Sequence, residues 1–115
     1  MRELLFAQGD ILIERVKDAP VSGDVVACEA DGAFVLAEGE LTGHRHAIYD
    51  RVTLFRDDAL AADIPSGLYL GHVQVAEGGV DVVHQEHAPI RLAPGTWRVR
   101  RQREMDPKET RLVAD

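Results

Sequence analysis

The chain is poor in thiols, aromatic rings and basic charge. It has one cysteine, Cys28, in 115 residues, with three Phe, two Tyr and one Trp. A lone thiol forms no internal disulfide, which excludes a disulfide-stapled scaffold and fits a reducing compartment. Cys28 reads as a small apolar residue before it reads as a nucleophile. No apolar run approaches the length of a membrane span, and no charged segment followed by an apolar stretch opens the chain as a signal peptide would. The expectation is a cytoplasmic protein with no membrane partner. Ser22 and Ser66 stand in turn-like sequence and not in a nucleophile elbow, so hydrolysis through serine or cysteine is set aside. There is no Walker loop and no dinucleotide-binding glycine pattern.

Thirteen Lys and Arg oppose twenty Asp and Glu, a net charge of -7. A bulk nucleic-acid binder needs the opposite sign, because phosphate neutralisation supplies most non-specific affinity. The scarce basic charge is concentrated late: residues 98–115 hold six basic and four acidic side chains, and residues 1–97 seven and sixteen. Any polyanion contact belongs to that end.

What is present is strand-forming sequence cut by turns. Ten Gly and five Pro are spread along the chain. Asp10–Val16 follows the turn residues Gln8-Gly9 and is rich in apolar, β-branched residues, favouring a strand. Val25–Cys28 and Phe34–Ala37 read as a hairpin across Asp31-Gly32. His46–Tyr49 and Val52–Phe55 read as two further strands. Asp57–Asp63 is the one helical candidate, with Asp58 as cap. Leu68–Ala76 alternates, placing Leu68, Leu70, His72 and Gln74 on one face and Tyr69, Gly71, Val73 and Val75 on the other. Glu77-Gly78-Gly79 then turns into Val80–His84 as a second hairpin, and Pro94-Gly95 leads into a last strand, Thr96–Arg103. Short strands at this spacing predict a single all-β domain over residues 1–105, a small barrel or sandwich of antiparallel strands with at most one short helix. Residues 106–115 follow as a tail or edge strand.

Four of the five histidines fall in two pairs, His44/His46 and His84/His87. Neutral imidazole is the commonest metal ligand. In a strand, His44 and His46 share a face. His84 and His87 face opposite ways in a regular strand and converge only if Gln85-Glu86 bulges or turns, which Pro89 close behind favours. These four are the candidate ligands of a divalent ion, whether zinc, iron, nickel or manganese, and Glu86 is the candidate acid/base residue beside them. The bland alternative is a pair of polar, solvated loops. His72, flanked by apolar residues, is read as structural.

In Thr96–Arg103 the alternation sends Trp97 and Val99 to the core, and Arg98, Arg100 and Gln102 to the other face. Arg98, Arg100, Arg101 and Arg103 are candidate contacts to phosphate or to a protein partner. Given the acidic remainder, ion pairing within the chain or in a homo-oligomer is favoured over nucleic acid.

Gly43-His44-Arg45-His46 resembles the opening of the first cupin motif, in which two histidines on a barrel strand bind metal. The chain departs from that pattern: only Tyr49 and Asp50 stand where the motif carries a glutamate, and His84 and His87 precede the Pro94-Gly95 turn. Over most of its length the chain is similar to small uncharacterised bacterial and phage proteins. The similar segments are Gln8-Gly9-Asp10, Leu41–His46, His84–Ile90 and Pro94–Glu104. That resemblance implies a bacterial or phage setting and no reaction. Two functions follow as expectations: a metal-binding β-barrel domain, with metal-assisted hydrolysis or other metal chemistry, or a non-enzymatic module that joins oligomers or particles through its arginine strand.

Overall fold

The structure is a computed structural model that describes residues 4–39 and 42–102. Ten strands follow in order: β1 (Leu5–Gln8), β2 (Ile11–Val16), β3 (Asp24–Val26), β4 (Phe34–Glu38), β5 (Arg45–Ile48), β6 (Thr53–Arg56), β7 (Tyr69–Val75), β8 (Val80–Val82), β9 (Ile90–Leu92) and β10 (Gly95–Arg101). Six make one antiparallel sheet in the order β1-β2-β10-β7-β6-β3. The hairpins β4–β5 and β8–β9 form the opposing layer, joined by the bridge pair Ala47 and Val83, which exchange backbone hydrogen bonds of 3.0 and 2.9 Å.

Alternation explains why the layers meet. Ile11 and Ile13 of β2, Trp97 and Val99 of β10, Val73 and Val75 of β7 and Leu54 of β6 point from the large sheet into one core. There they pack against Leu36, Ala37, Ile48, Val80, Val82 and Leu92 from the hairpins. Each Val, Leu and Ile side chain among them contributes about 1.5–3 kcal/mol by leaving water. The expected all-β class holds, in its sandwich form. The large sheet ends in the edges β1 and β3 and does not close, so of the two expected forms the fold takes the sandwich and not the barrel. Among the described residues no helix is long and apolar enough to cross a membrane.

Neither hairpin expected from the turns forms. The Asp31-Gly32 turn is present, with Gly32 N–H donating to Glu29 O, but β3 pairs with β6 and β4 with β5. Likewise β8 does not pair with β7, whose two sides are already taken by β10 and β6. The chain passes through Gly78 and Gly79, both at positive φ, into the other layer, where β8 finds β9. The helical segment shrinks to one 3-10 turn, Asp58–Ala61, capped by Asp57 and not Asp58. The Asp57 carboxylate accepts from Ala59 N–H at 3.0 Å. So short a segment cannot recover the cost of nucleating an α-helix.

The face assignment of β7 also changes. Opposite β10, Val99 faces Gly71 but Arg100 faces Tyr69, so Leu70 is an extra residue and the strand bulges. Tyr69 therefore lies on the side of His72, with its hydroxyl 2.7 Å from His72 Nδ1, while Leu70 turns to the main core.

Candidate metal centre

The bridge between Ala47 and Val83 assembles the two histidine pairs. His46, on β5 and only 3% exposed, precedes Ala47, and His84 follows Val83. Pairing those neighbours lays His84 against both histidines of the first pair. Its ring centroid is 4.4 Å from that of His46 and 5.6 Å from that of His44. After His84 the backbone leaves strand geometry and bends through Gln85, Glu86 and His87. His84 Nδ1 accepts from Glu86 N–H at 3.0 Å inside this bend, and Gln85 Oε1 accepts from Arg45 N–H at 2.9 Å, pinning it to β5. The bend returns His87 to the cluster, 4.7 Å from His84 and 6.5 Å from His46. All four histidines singled out in the sequence thus meet.

A second component comes from the turn between β1 and β2. Gln8, buried at 3% exposure, donates from Nε2 to Val82 O and Ala88 O at 3.1 and 2.9 Å. Its amide N–H groups are thereby spent, so Gln8 Oε1, 2.8 Å from His46 Nδ1, accepts the proton of that nitrogen. Gly9 follows at φ +59, and a Cβ built on it would stand 3.0 Å from His87 Nε2 and 3.2 Å from His46 Cε1. Asp10 then brings Oδ1 to 3.4 Å from His46 Nε2, while its Oδ2 takes a 2.6 Å ion pair from Arg101. Sequence reasoning treated Gln8-Gly9 as a turn and Asp10 as the start of a strand, and missed their side chains. The only signal was their recurrence in the resemblance to uncharacterised proteins.

Glu86 stands at the rim, mostly exposed, with Oε1 3.5 Å from His44 Nδ1. His44 Nδ1 and His87 Nε2 are buried atoms that make no hydrogen bond. Polar atoms in that condition are costly unless something polar completes them. Among the described residues no group of three or more His, Cys, Asp or Glu is already set to hold a metal ion. The imidazoles converge as rings before they converge as donor atoms.

Two arginines of the last strand, Arg98 and Arg101, are ion-paired within the chain. Arg98 donates to Glu14 at 2.7 Å and forks onto both oxygens of Asp63 at 2.9 and 3.0 Å. That bond holds the Asp63 carboxyl below its ordinary range. Arg101 is paired with Asp10, and Arg100 is half-buried beside Tyr69. Arg103, with the segment 106–115, lies outside the described residues. His72 lies away from the cluster, stacked on Phe55 at 5.3 Å. Burial first, and Arg98 second, lower its basicity.

A family model described as a domain of unknown function (DUF8820) matches residues 7–102, a span that takes in every residue of this site. No curated protein and no solved structure matches the chain.

Proposed function

We propose that this chain, a member of that family of unknown function, is a metal-binding β-sandwich protein. In this reading His46, His84 and His87 bind a divalent ion and His44 lies at the mouth. The observation that carries the reading is the meeting of four imidazoles from two distant segments around His84. A metal–imidazole bond of about 2.0–2.1 Å puts each ring centroid roughly 3.2 Å from the ion, so neighbouring ligands have centroids about 4.5–5.3 Å apart. The 4.4 and 4.7 Å separations about His84 are close to this range, while the 6.5 Å between His46 and His87 exceeds it and must shorten on binding. His87 Nε2 adds a buried nitrogen that needs a partner.

Binding asks for local rearrangement. With Nδ1 accepting from Glu86 N–H, neutral His84 carries its proton on Nε2. It must shift that proton to coordinate through Nε2, and the bend at 85–87 must re-form around it. An ion held by three protein ligands would keep one position open and would supply Lewis acidity there, the simplest route to hydrolytic chemistry. Glu86, at the rim, is the residue placed to exchange protons with solvent.

Protein purified without a histidine tag should carry, or take up, about one equivalent of zinc, iron, nickel or manganese. A His46→Ala/His84→Ala variant should lose it. Absence of binding in the unsubstituted protein, with a melting temperature indifferent to chelator, overturns the reading.

A further inference from the structure

We infer that His72 and Tyr69 form an acid-released latch, through which protonation of His72 frees the segment 57–67 from the outer face of the large sheet. Neither residue belongs to the histidine cluster.

The latch is a short chain of hydrogen bonds. Tyr69 O accepts from Asp57 N–H at 3.1 Å, where the segment begins. Among the described residues the hydroxyl hydrogen then has one acceptor, His72 Nδ1 at 2.7 Å. The neutral ring therefore accepts at Nδ1 and carries its proton on Nε2. A second proton goes to Nδ1 and turns that acceptor into a donor. Two donors then face Tyr69 O, and the hydroxyl hydrogen loses its acceptor. Both residues are buried, at 3% and 5% exposure, where an unmet polar group is costly.

Charge acts in the same direction. Arg98 on β10 stands opposite His72 and is a like charge to the protonated ring. Asp57, ahead of the 3-10 turn, and Glu14 on β2 oppose it more weakly. Asp57 already accepts from Ala59 N–H, and Glu14 from Arg98. Arg56 lies over the Tyr69 ring at 5.4 Å, and Arg100 is the ladder partner of Tyr69. Phe55 stacks on His72 at 5.3 Å. Burial first, and Arg98 second, keep the closed ring less basic than a free histidine.

The segment has little else to hold it. Its buried apolar residues Ala61 and Ile64 pack with Tyr69 and Leu68 in a cluster apart from the main core. Its other side-chain ties end on Arg98, which donates to Leu60 O at 3.3 Å and forks onto Asp63. Segments with few apolar contacts open locally before the whole molecule unfolds. Opening uncovers Glu14, Arg98 and His72, which the register places side by side on β2, β10 and β7. The open form takes its proton at the ordinary value of 6.5, and the closed form at a lower one. Each pH unit below 6.5 thus favours opening by up to about tenfold, until the closed ring titrates too.

Amide hydrogen exchange read by NMR, corrected for the intrinsic pH dependence, tests the latch. Between pH 7.5 and 5.0, protection of the Asp57, Leu60 and Ile64 amides should fall by about tenfold. The ladder amides of β2, β7 and β10 should hold theirs. A His72→Asn variant, which keeps the other four histidines, should show no such fall. Tyr69→Phe leaves the titrating ring in place and removes the link. Its Asp57 amide should be about fivefold or more less protected at pH 7.5 already. Full protection of that amide in Tyr69→Phe overturns the latch, as does unchanged protection of the segment at pH 5.0. An equal fall in His72→Asn assigns the acid response to another group, and a parallel fall in the ladder amides assigns it to global unfolding. Either result also sinks the inference.

Discussion

Tyr69 and His72 lie three residues apart, a spacing that puts side chains on opposite faces of a regular strand. One extra residue, Leu70, reverses that parity and buries the pair together beneath the 3-10 turn. The Tyr69 oxygen also accepts from Asp57 N–H at 3.1 Å, so the pair anchors the turn that covers it. Burial and then Arg98 lower the His72 basicity below the ordinary value of 6.5, against weaker opposition from Asp57 and Glu14. A histidine that resists protonation when folded takes up more protons when unfolded. Its contribution is complete above the unfolded value and declines as pH falls from 6.5 toward the folded one. In urea titrations between pH 7.5 and 5.5, the unsubstituted protein should lose stability more steeply than a His72→Asn variant. Parallel profiles would show that the buried ring titrates normally.

Among the elements, the β1–β2 turn bears the heaviest local demand. It must reverse the chain in two residues and also sit against two imidazoles. Gly9 meets both needs, with φ +59 and no side chain. Gly9→Ala should cost about 1–2 kcal/mol for the left-handed backbone alone. It should also push His87 aside, because the new Cβ would stand 3.0 Å from its Nε2. Equilibrium urea unfolding reads the first effect, and His87 side-chain NMR shifts read the second. A stability unchanged within error would mean that the turn relaxes to another type. The edges of the large sheet are managed less tightly: β3 is exposed along its length, with Val25 65% accessible.

At the scale of the whole molecule, two layers share one core, and Trp97 lies at its centre. Its ring is 1% exposed, packs on Phe6 at 5.8 Å and donates Nε1–H to Ala93 O at 2.9 Å. Trp97→Ala should destabilise by about 3–5 kcal/mol, a large share of the roughly 5–15 kcal/mol that holds a domain together. Circular dichroism is the appropriate probe, because Trp97 is the only tryptophan. A loss under about 1 kcal/mol would mean that the core collapses around the gap. The arginine face tells the same story from outside: the Arg98 guanidinium is consumed by Glu14 and Asp63, so its charge ties strand to turn within the chain.

The sequence by itself determined the class and most of the strands, because alternation, β-branching and glycine–proline punctuation are local properties that no partner has to supply. It also determined that Trp97 and Val99 point inward. The tertiary structure alone decided which strands pair, since a free sheet edge depends on what has already occupied it; β8 was denied β7 for that reason. It decided, too, that the second histidine pair joins the first, through a bridge at Ala47 and Val83 and a bend at Gln85–His87. Gln8 and Asp10 enter the site across 36 residues or more of chain. Their roles rest on distances that no spacing along the sequence encodes.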